Sequence, residues 1–459
     1  MHPTRPLAFL GICLSLCGMS PTRAEAVVNP QETAILARIK SPLFAERDFP
    51  IPDFGAVKDG DSTAALAKAI TACHDAGGGR VVVPAGVWLT GAVHLKSNVN
   101  LHLADGATLR FSPDSTKYLP LVLTRFEGIE CMNYSPLIYA FEQENVAITG
   151  KGTLDGTASL ETWWSWNDPS KGRPTKQVAA RKRLDDQGTD GVPVAERIHG
   201  EGSFLRPTFI QPYRCKNVLI EGVTIINSPM WEMNPVLCTN VTVRGVNVRT
   251  HGSNNDGCNP ESCKDVLIED CLFDTGDDCI AIKSGRNNDG RRIGVPSENI
   301  VIRRCTMREG HGGVTMGSEI SGGVRNVFVS DCKMDSPNLD RAIRFKSNAV
   351  RGGVIENIFV RDVTIGRVAK AVLSIEFDYE EGAKGTHQPV LRNVLLENVT
   401  CESSERVTVA TAIPGAVVEG VRFENCNFRG VETEDVWKLV EPATYQNVSI
   451  ERGKAENRK

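Results

Sequence analysis

Neither sign of charge dominates this chain: 52 Lys and Arg stand against 56 Asp and Glu, for a formal net charge of -4. A nucleic-acid or membrane-surface partner would call for a basic excess, so none is expected. An acidic substrate stays open, because such a substrate senses the local charge of a groove. Long apolar runs are also scarce. The only one, Leu7 to Cys17, lies close to the start, and nothing later reaches the roughly 20 apolar residues of a membrane helix. Helical periodicity is confined to one short stretch, and no leucine ladder runs through the repeats described below, which disfavours a leucine-rich solenoid.

The apolar run follows Arg5 and precedes Ala24-Glu25-Ala26, a small-x-small cleavage site. Residues 1–26 therefore read as an export signal, with 27–459 as the mature chain in a periplasm or outside the cell. A lipoprotein reading through Cys17 is disfavoured because Leu16 occupies a position that calls for a small residue. There are 14 cysteines, and Cys13 and Cys17 would leave with the signal. Cys271, Cys305, Cys332 and Cys426 share a repeat position with Val223, Val246, Val363 and Val399. A position shared with valine is buried and apolar, so stacked free thiols are expected there. Cys258 with Cys263 is the best candidate for a bridge.

Thr63 to Ala76 carries apolar residues at Leu66, Ala69, Ile70 and Cys73, a helical spacing ended by Gly77-Gly78-Gly79. It reads as a cap on one end of an elongated core. From there Asn, or a substitute, recurs before an apolar alternation: Asn98-Val99, Asn145-Val146, Asn217-Val218, Asn240-Val241, Asp265-Val266, Asn299-Ile300, Asn326-Val327, Asn357-Ile358, Asn393-Val394, Gly420-Val421 and Asn447-Val448. Intervals of roughly 23 to 36 residues from Val218 onward are those of a solenoid. Segments such as Val266 to Cys271 are short, β-branched and ended by polar turns, so the repeating unit is a strand. An all-β, single-stranded parallel β-helix follows. About 157–206 breaks the pattern with Trp163-Trp164-Ser165-Trp166 and then Lys171, Arg173, Lys176, Arg181, Lys182 and Arg183. An insertion of that length reads as a loop that walls off a groove for an anionic sugar.

Four polar clusters interrupt the strands: Asn254-Asn255-Asp256-Gly257, Gly276-Asp277-Asp278-Cys279, Gly310-His311-Gly312-Gly313 and Arg344-Phe345-Lys346. If one repeat is one coil, they stack. Three carboxylates at one corner let one hold a proton while the others stay ionised, as glycoside hydrolysis requires, and one coil of offset is compatible with the ~6.5 to 9.5 Å of an inverting pair. A calcium site is the plainer alternative for such acids. Alternation turns Ile343 and Phe345 inward and projects Arg344 and Lys346 together to solvent, where two cations suit a carboxylate. His311, among glycines and one coil beyond the aspartates, is placed to hold the acid or touch the sugar.

In that order on a β-helix, the clusters resemble the signature motifs of the polygalacturonase family, family 28 of the glycoside hydrolases. Asp53-Phe54-Gly55-Ala56, Pro84-Ala85-Gly86 and Ile148 to Gly156 extend the resemblance over nearly the whole mature chain. It implies a right-handed, pectin-lyase-like helix, and inverting hydrolysis of α-1,4-linked galacturonic acid without a metal or other cofactor. Asp277 would be the acid, Asp256 and Asp278 would activate water, His311 would support the acid, and Arg344 and Lys346 would bind a galacturonate carboxylate. Asn254, Arg206, Trp231 and Tyr379 are further candidate sugar contacts. The insertion and Arg206-Pro207 look like the exo-acting bacterial branch, and a monomer is expected. Asn259 stands where relatives commonly have Asp, and Asn234 where they often have His. The alternatives are a hydrolase of decorated pectin, such as rhamnogalacturonan or xylogalacturonan, and a non-catalytic pectin-binding helix. A calcium-dependent lyase is disfavoured.

Overall fold

The computed structural model describes residues 29–168, 170 and 175–453; the export-signal reading of 1–26 lies outside them. The chain winds into a right-handed parallel β-helix. A 13-stranded and a 12-stranded sheet form two faces. The third is built from a 3-stranded and a 6-stranded sheet, joined through the bridges Ile210–Met233–Cys258–Ile280. Apart from one antiparallel hairpin, Val122–Phe126 with Ile129–Asn133, every named strand pairs in parallel with the next coil.

The recurring asparagine has a physical cause. Asn98, Asn145, Asn217, Asn240, Asn299, Asn326, Asn357 and Asn393 all adopt positive φ between 54° and 63°, a left-handed corner that Asn tolerates better than other side chains. From Asn145 onward each of these amides also donates to the residue one coil back. Asn145 reaches Asn98 and Asn217 reaches Asn145, both at 2.9 Å, and Asn326 reaches Asn299 at 3.0 Å. Where Gly420 replaces Asn, φ is 68°, so the corner survives and the ladder bond is lost.

Alternation fills the lumen with Val, Ile, Leu and Phe in one continuous core. The thiols behave as small apolar residues: all twelve described cysteines are free and buried. Cys258 and Cys263 are among them, so the expected bridge between these two does not form. Helix α2 (Thr63–Asp75) caps the N-terminal end, burying Leu66, Ala69, Ile70 and Cys73. Helix α1 (Pro30–Arg38) was not anticipated. It lies across the outside of the 13-stranded sheet, packing Ile35 and the following Ile39 on Leu267, Val301 and Phe328, with Arg38 paired to Asp265 at 2.8 Å.

The insertion is less of a loop than the sequence suggested. It contains α3 (Lys176–Thr189), which buries Gln177, Ala180 and Leu184 and packs on the hairpin through Phe126 and Ile129. Its apolar stripe is too narrow to stand out among the cations of Lys176, Arg181, Lys182 and Arg183.

Candidate functional site

The four clusters meet on the third face. Pairing of Ile280 with Val314 and of Val314 with Ile343 puts the strands Ile280–Ile282, Val314–Met316 and Arg341–Lys346 side by side. The turns that precede them are stacked by the same register. There Trp231, Asn254, Asp256, Asp277, His311, Arg344, Lys346 and Tyr379 line one cavity of about 390 Å³. Donor oxygens of Asp256, Asp277 and Asp278 lie within 4.8 Å of one another. The turn of one coil brings its acids beside those of the coil before.

The three carboxylates differ in environment. Asp278 is fully buried and held by three groups: Lys346 donates at 2.6 Å, the Thr315 hydroxyl at 2.9 Å, and Arg344 stands at 3.6 Å. Burial alone would raise its pKa, but Lys346 and Arg344 outweigh it and hold the carboxylate well below the usual range. Asp256 accepts from Asn259 Nδ2 at 3.0 Å and lies 3.5 Å from Lys283. Burial first, then the charges of Asp277 and Asp278, pushes it up to about 8. Its surroundings thus differ from those of Asp278, whose carboxylate the neighbouring cations hold ionised, although the sequence reading gives the two acids one role. Asp277 is the acid most open to the cavity and lies 3.0 Å from His311 Nδ1. That hydrogen bond raises the histidine above its ordinary value.

Arg344 and Lys346 depart from expectation in exposure. Ile343 and Phe345 do point into the core, but the two cations are only 6% and 5% exposed. Arg344 forks onto Glu376 with bonds of 3.1 and 2.7 Å, and the Tyr379 ring covers both cations at 5.8 and 5.4 Å. Glu376 sits one coil on, paired in register with Lys346. Alternation supplied the direction of these side chains, while their burial depends on what the next coils place around them.

Arg206 does not line the cavity. It is wholly buried, donating to Gln177 of α3 at 3.0 Å, the Pro229 carbonyl at 2.9 Å, the Ser253 carbonyl at 2.8 Å and Asn254 Oδ1 at 2.8 Å. It fixes the first motif turn to the insertion instead of meeting a sugar. The two atypical asparagines are neighbours: Asn234 Nδ2 donates to the Asn259 carbonyl at 2.9 Å, and Asn259 Nδ2 then holds Asp256. An Asp at 259 would offer that oxygen no donor.

Arg181 comes from the insertion expected to wall the groove, but several other lining residues were missed: Glu127, Lys283, Glu319, Arg341, Lys370 and Glu380. Lys283 could have been found, since Ile280 and Ile282 lie in the core and alternation sends Lys283 the other way. The others arrive from the hairpin and later coils, where no motif marks them. Among the described residues, two donor sets have metal-holding spacing. One is the aspartate trio, where Lys346, Arg344 and Lys283 already supply positive charge. The other, His251, Asp274 and Glu309, is linked through opposite ring nitrogens, Nε2 at 3.1 Å from Asp274 and Nδ1 at 3.8 Å from Glu309. That suits an imidazole bridging two acids.

Chemically, the cavity offers an open carboxyl, Asp277, beside a histidine whose pKa it raises, with Asp278 held ionised behind it by Lys346 and Arg344, and a lining in which cations and acids are interleaved. Comparison with known proteins gives this chemistry a lineage. A "Probable polygalacturonase" from Vitis vinifera is 30% identical over 392 residues, covering 81% of this chain and 72% of that one. An "Exo-poly-alpha-D-galacturonosidase" from Dickeya chrysanthemi is 27% identical over 424 residues, covering 85% and 68%. The crystal structure of a hyperthermoactive exopolygalacturonase from Thermotoga maritima is 44% identical, with a TM-score of 0.87 over 92% of this chain and 95% of that one. The family model described as Glycosyl hydrolases family 28 matches residues 178–445, a span holding all four motifs and their stacked turns; the chain belongs to that family and is a glycoside hydrolase.

Proposed function

We propose that this protein is an exported, monomeric exo-polygalacturonase that releases galacturonate from the ends of pectic chains with inversion. The observation that carries the reading is the unequal environment of three carboxylates within 4.8 Å. Asp278, ionised by Lys346 and Arg344, accepts a proton from water as its oxygen bonds to the anomeric carbon. Asp277 gives a proton to the departing glycosidic oxygen as the carbon–oxygen bond breaks. The proton on Asp278 then restores the acid through its neighbours. Asp277 has for neighbours Asp256, whose pKa burial pushes up to about 8, and His311, raised by its hydrogen bond to Asp277. Asp278 is pinned by Lys346 and Thr315 and so acts as a base in preference to a nucleophile, which favours inversion.

Attack at a chain end rests on α3. Its Arg181 pairs with Glu127 of the hairpin turn at 2.5 Å and lies 3.6 Å from Glu380, so the insertion ties two walls together across one end of the cavity. Arg341, Arg344, Lys346 and Lys370 in the lining, partly paired to Asp340, Glu376 and Asp278, suit a polyuronate better than a neutral glycan. The test is a time course on polygalacturonate with the released anomer followed by NMR. Monomer alone from the first minutes, appearing as the β-anomer, is expected. A ladder of oligomers would refute end attack, the α-anomer would refute inversion, and no release would refute the substrate.

A further inference from the structure

The two asparagines of the first motif turn spend their side chains differently. Asn255 is buried and uses its whole amide within the fold: Oδ1 accepts from the Thr250 hydroxyl and the Gly252 N–H, while Nδ2 donates to the carbonyls of Ser228 and Met230. Asn254 uses half. Its Oδ1 accepts from Arg206 Nη2 at 2.8 Å and from Asn167 Nδ2 at 3.2 Å; among the described residues its Nδ2 meets no acceptor, and the side chain lines the cavity. Chemistry fixes the direction of this amide. A guanidinium carries donors only, so the oxygen must face Arg206 and the NH₂ group must face away from it. Asn254 also sits at φ 56°, a left-handed corner that glycine occupies as readily.

Both donors lead back to the start of α3. Arg206 Nε donates to Gln177 Oε1 at 3.0 Å, and Asn167 Oδ1 accepts at 3.0 Å from Thr175, the N-cap residue of the helix. The remaining guanidinium nitrogen is fixed by the carbonyls of Pro229 and Ser253 and by the Ser253 hydroxyl. Every hydrogen-bond acceptor of this buried cation is thus a neutral oxygen. Its bond to Oδ1 draws electron density through the amide and strengthens Nδ2 as a donor. We propose that Arg206 is a positioning residue for sugar binding: with Asn167 it turns the Asn254 amide so that Nδ2 donates to an oxygen of the uronic acid held beside Asp256 and Asp277. The insertion then does more than wall the groove, because the first turn of α3 sets the direction of a donor inside it.

This rests on the hydrolytic reading above, and a double-mutant cycle on oligogalacturonate tests it through KM, kcat and calorimetric binding. Asn254→Gly keeps the corner and removes the donor. Arg206→Lys keeps the charge, but one ammonium cannot hold Gln177 and Asn254 in the fork that a guanidinium provides. Each should raise KM and the dissociation constant by about 3- to 10-fold, the share of one hydrogen bond, with kcat changed less. In the Asn254→Gly background, Arg206→Lys should raise them no further. If Arg206→Lys does not fold, Asn167→Ala takes its place in the cycle, with a smaller rise. A purely structural arginine would lower kcat and the thermal midpoint, and any effect on KM would add to that of Asn254→Gly. Additive effects, or a KM unmoved in folded variants, overturn the proposal. A wild-type protein that binds the oligosaccharide and releases no uronic acid overturns the hydrolytic reading alone, because the cycle is then read from binding; one that does neither overturns both.

Discussion

Asp277 and Asp256 are one coil apart and yet call for opposite treatment. Asp277 faces the cavity, so Asp277→Asn keeps the shape and hydrogen bonding of the site while removing the transferable proton. Turnover should fall by about 10²–10⁴-fold with oligosaccharide binding largely retained, as followed by reducing-end assay and calorimetry. Asp256 carries a thermodynamic signature instead. Its folded pKa is raised to about 8. The native state therefore holds a proton that the unfolded chain releases near pH 4, and this group's contribution to stability declines as pH rises from about 4 to 8. Asp256→Asn removes that decline. The variant should be inactive, equal to wild type in stability near pH 4, and more stable by at least about 1 kcal/mol at pH 8 in urea titrations. Loss of the same proton should bring down wild-type kcat/KM as pH rises through about 8.

The elements explain which parts of this site could be read from sequence. The strand Arg341–Lys346 was legible because alternation is a local rule, and it correctly separated Ile343 and Phe345 from Arg344 and Lys346. Their burial was not legible, since Asp278 comes from an earlier coil and Glu376 and Tyr379 from the next one. Arg206 was misjudged for the same reason: a lone arginine after a long insertion carries no sign of whether it meets ligand or backbone. Helix α3 was hidden by its own charge, yet it delivers Arg181 to the end of the cavity. Arg181→Ala removes the tie to Glu127 and Glu380 while leaving the packing of Ala180 and Leu184 intact. We expect released monomer to give way in part to short oligomers, measured by chromatography, with kcat on long chains changed less than on dimers. An unaltered product pattern would show that closure resides elsewhere in the insertion.

At the scale of the whole molecule, the repeat that made the fold legible also decides how it is held together. Each coil buries its inward side chains against the coils on either side, and most corners of the recurring position are occupied by an asparagine bonded to its predecessor. Asp265 and Gly420 interrupt the asparagine series, but the pattern still spreads stability along the axis as nearest-neighbour terms. A chain organised in this way has little need of covalent staples, which small exported domains use to compensate for thin cores. The thiols follow that logic. Cys271, Cys305 and Cys332 are each 1–2% exposed and stack at successive coils in the place that valine takes elsewhere. Burial also raises the pKa of Cys258 and Cys279, which disfavours the thiolate needed for exchange. The consequence is measurable on the intact protein: thermal unfolding with and without dithiothreitol should give the same midpoint, and thiol titration should count the described cysteines only after denaturation. Cys305→Val should be nearly neutral, because it preserves an apolar group of similar volume between two neighbours. Cys305→Ser should be destabilising by about 1–3 kcal/mol, because the hydroxyl is more costly to desolvate than the thiol at a site walled by Ile268 and its neighbours. A midpoint that drops on reduction would mean that a covalent link, and not stacked burial, joins the coils.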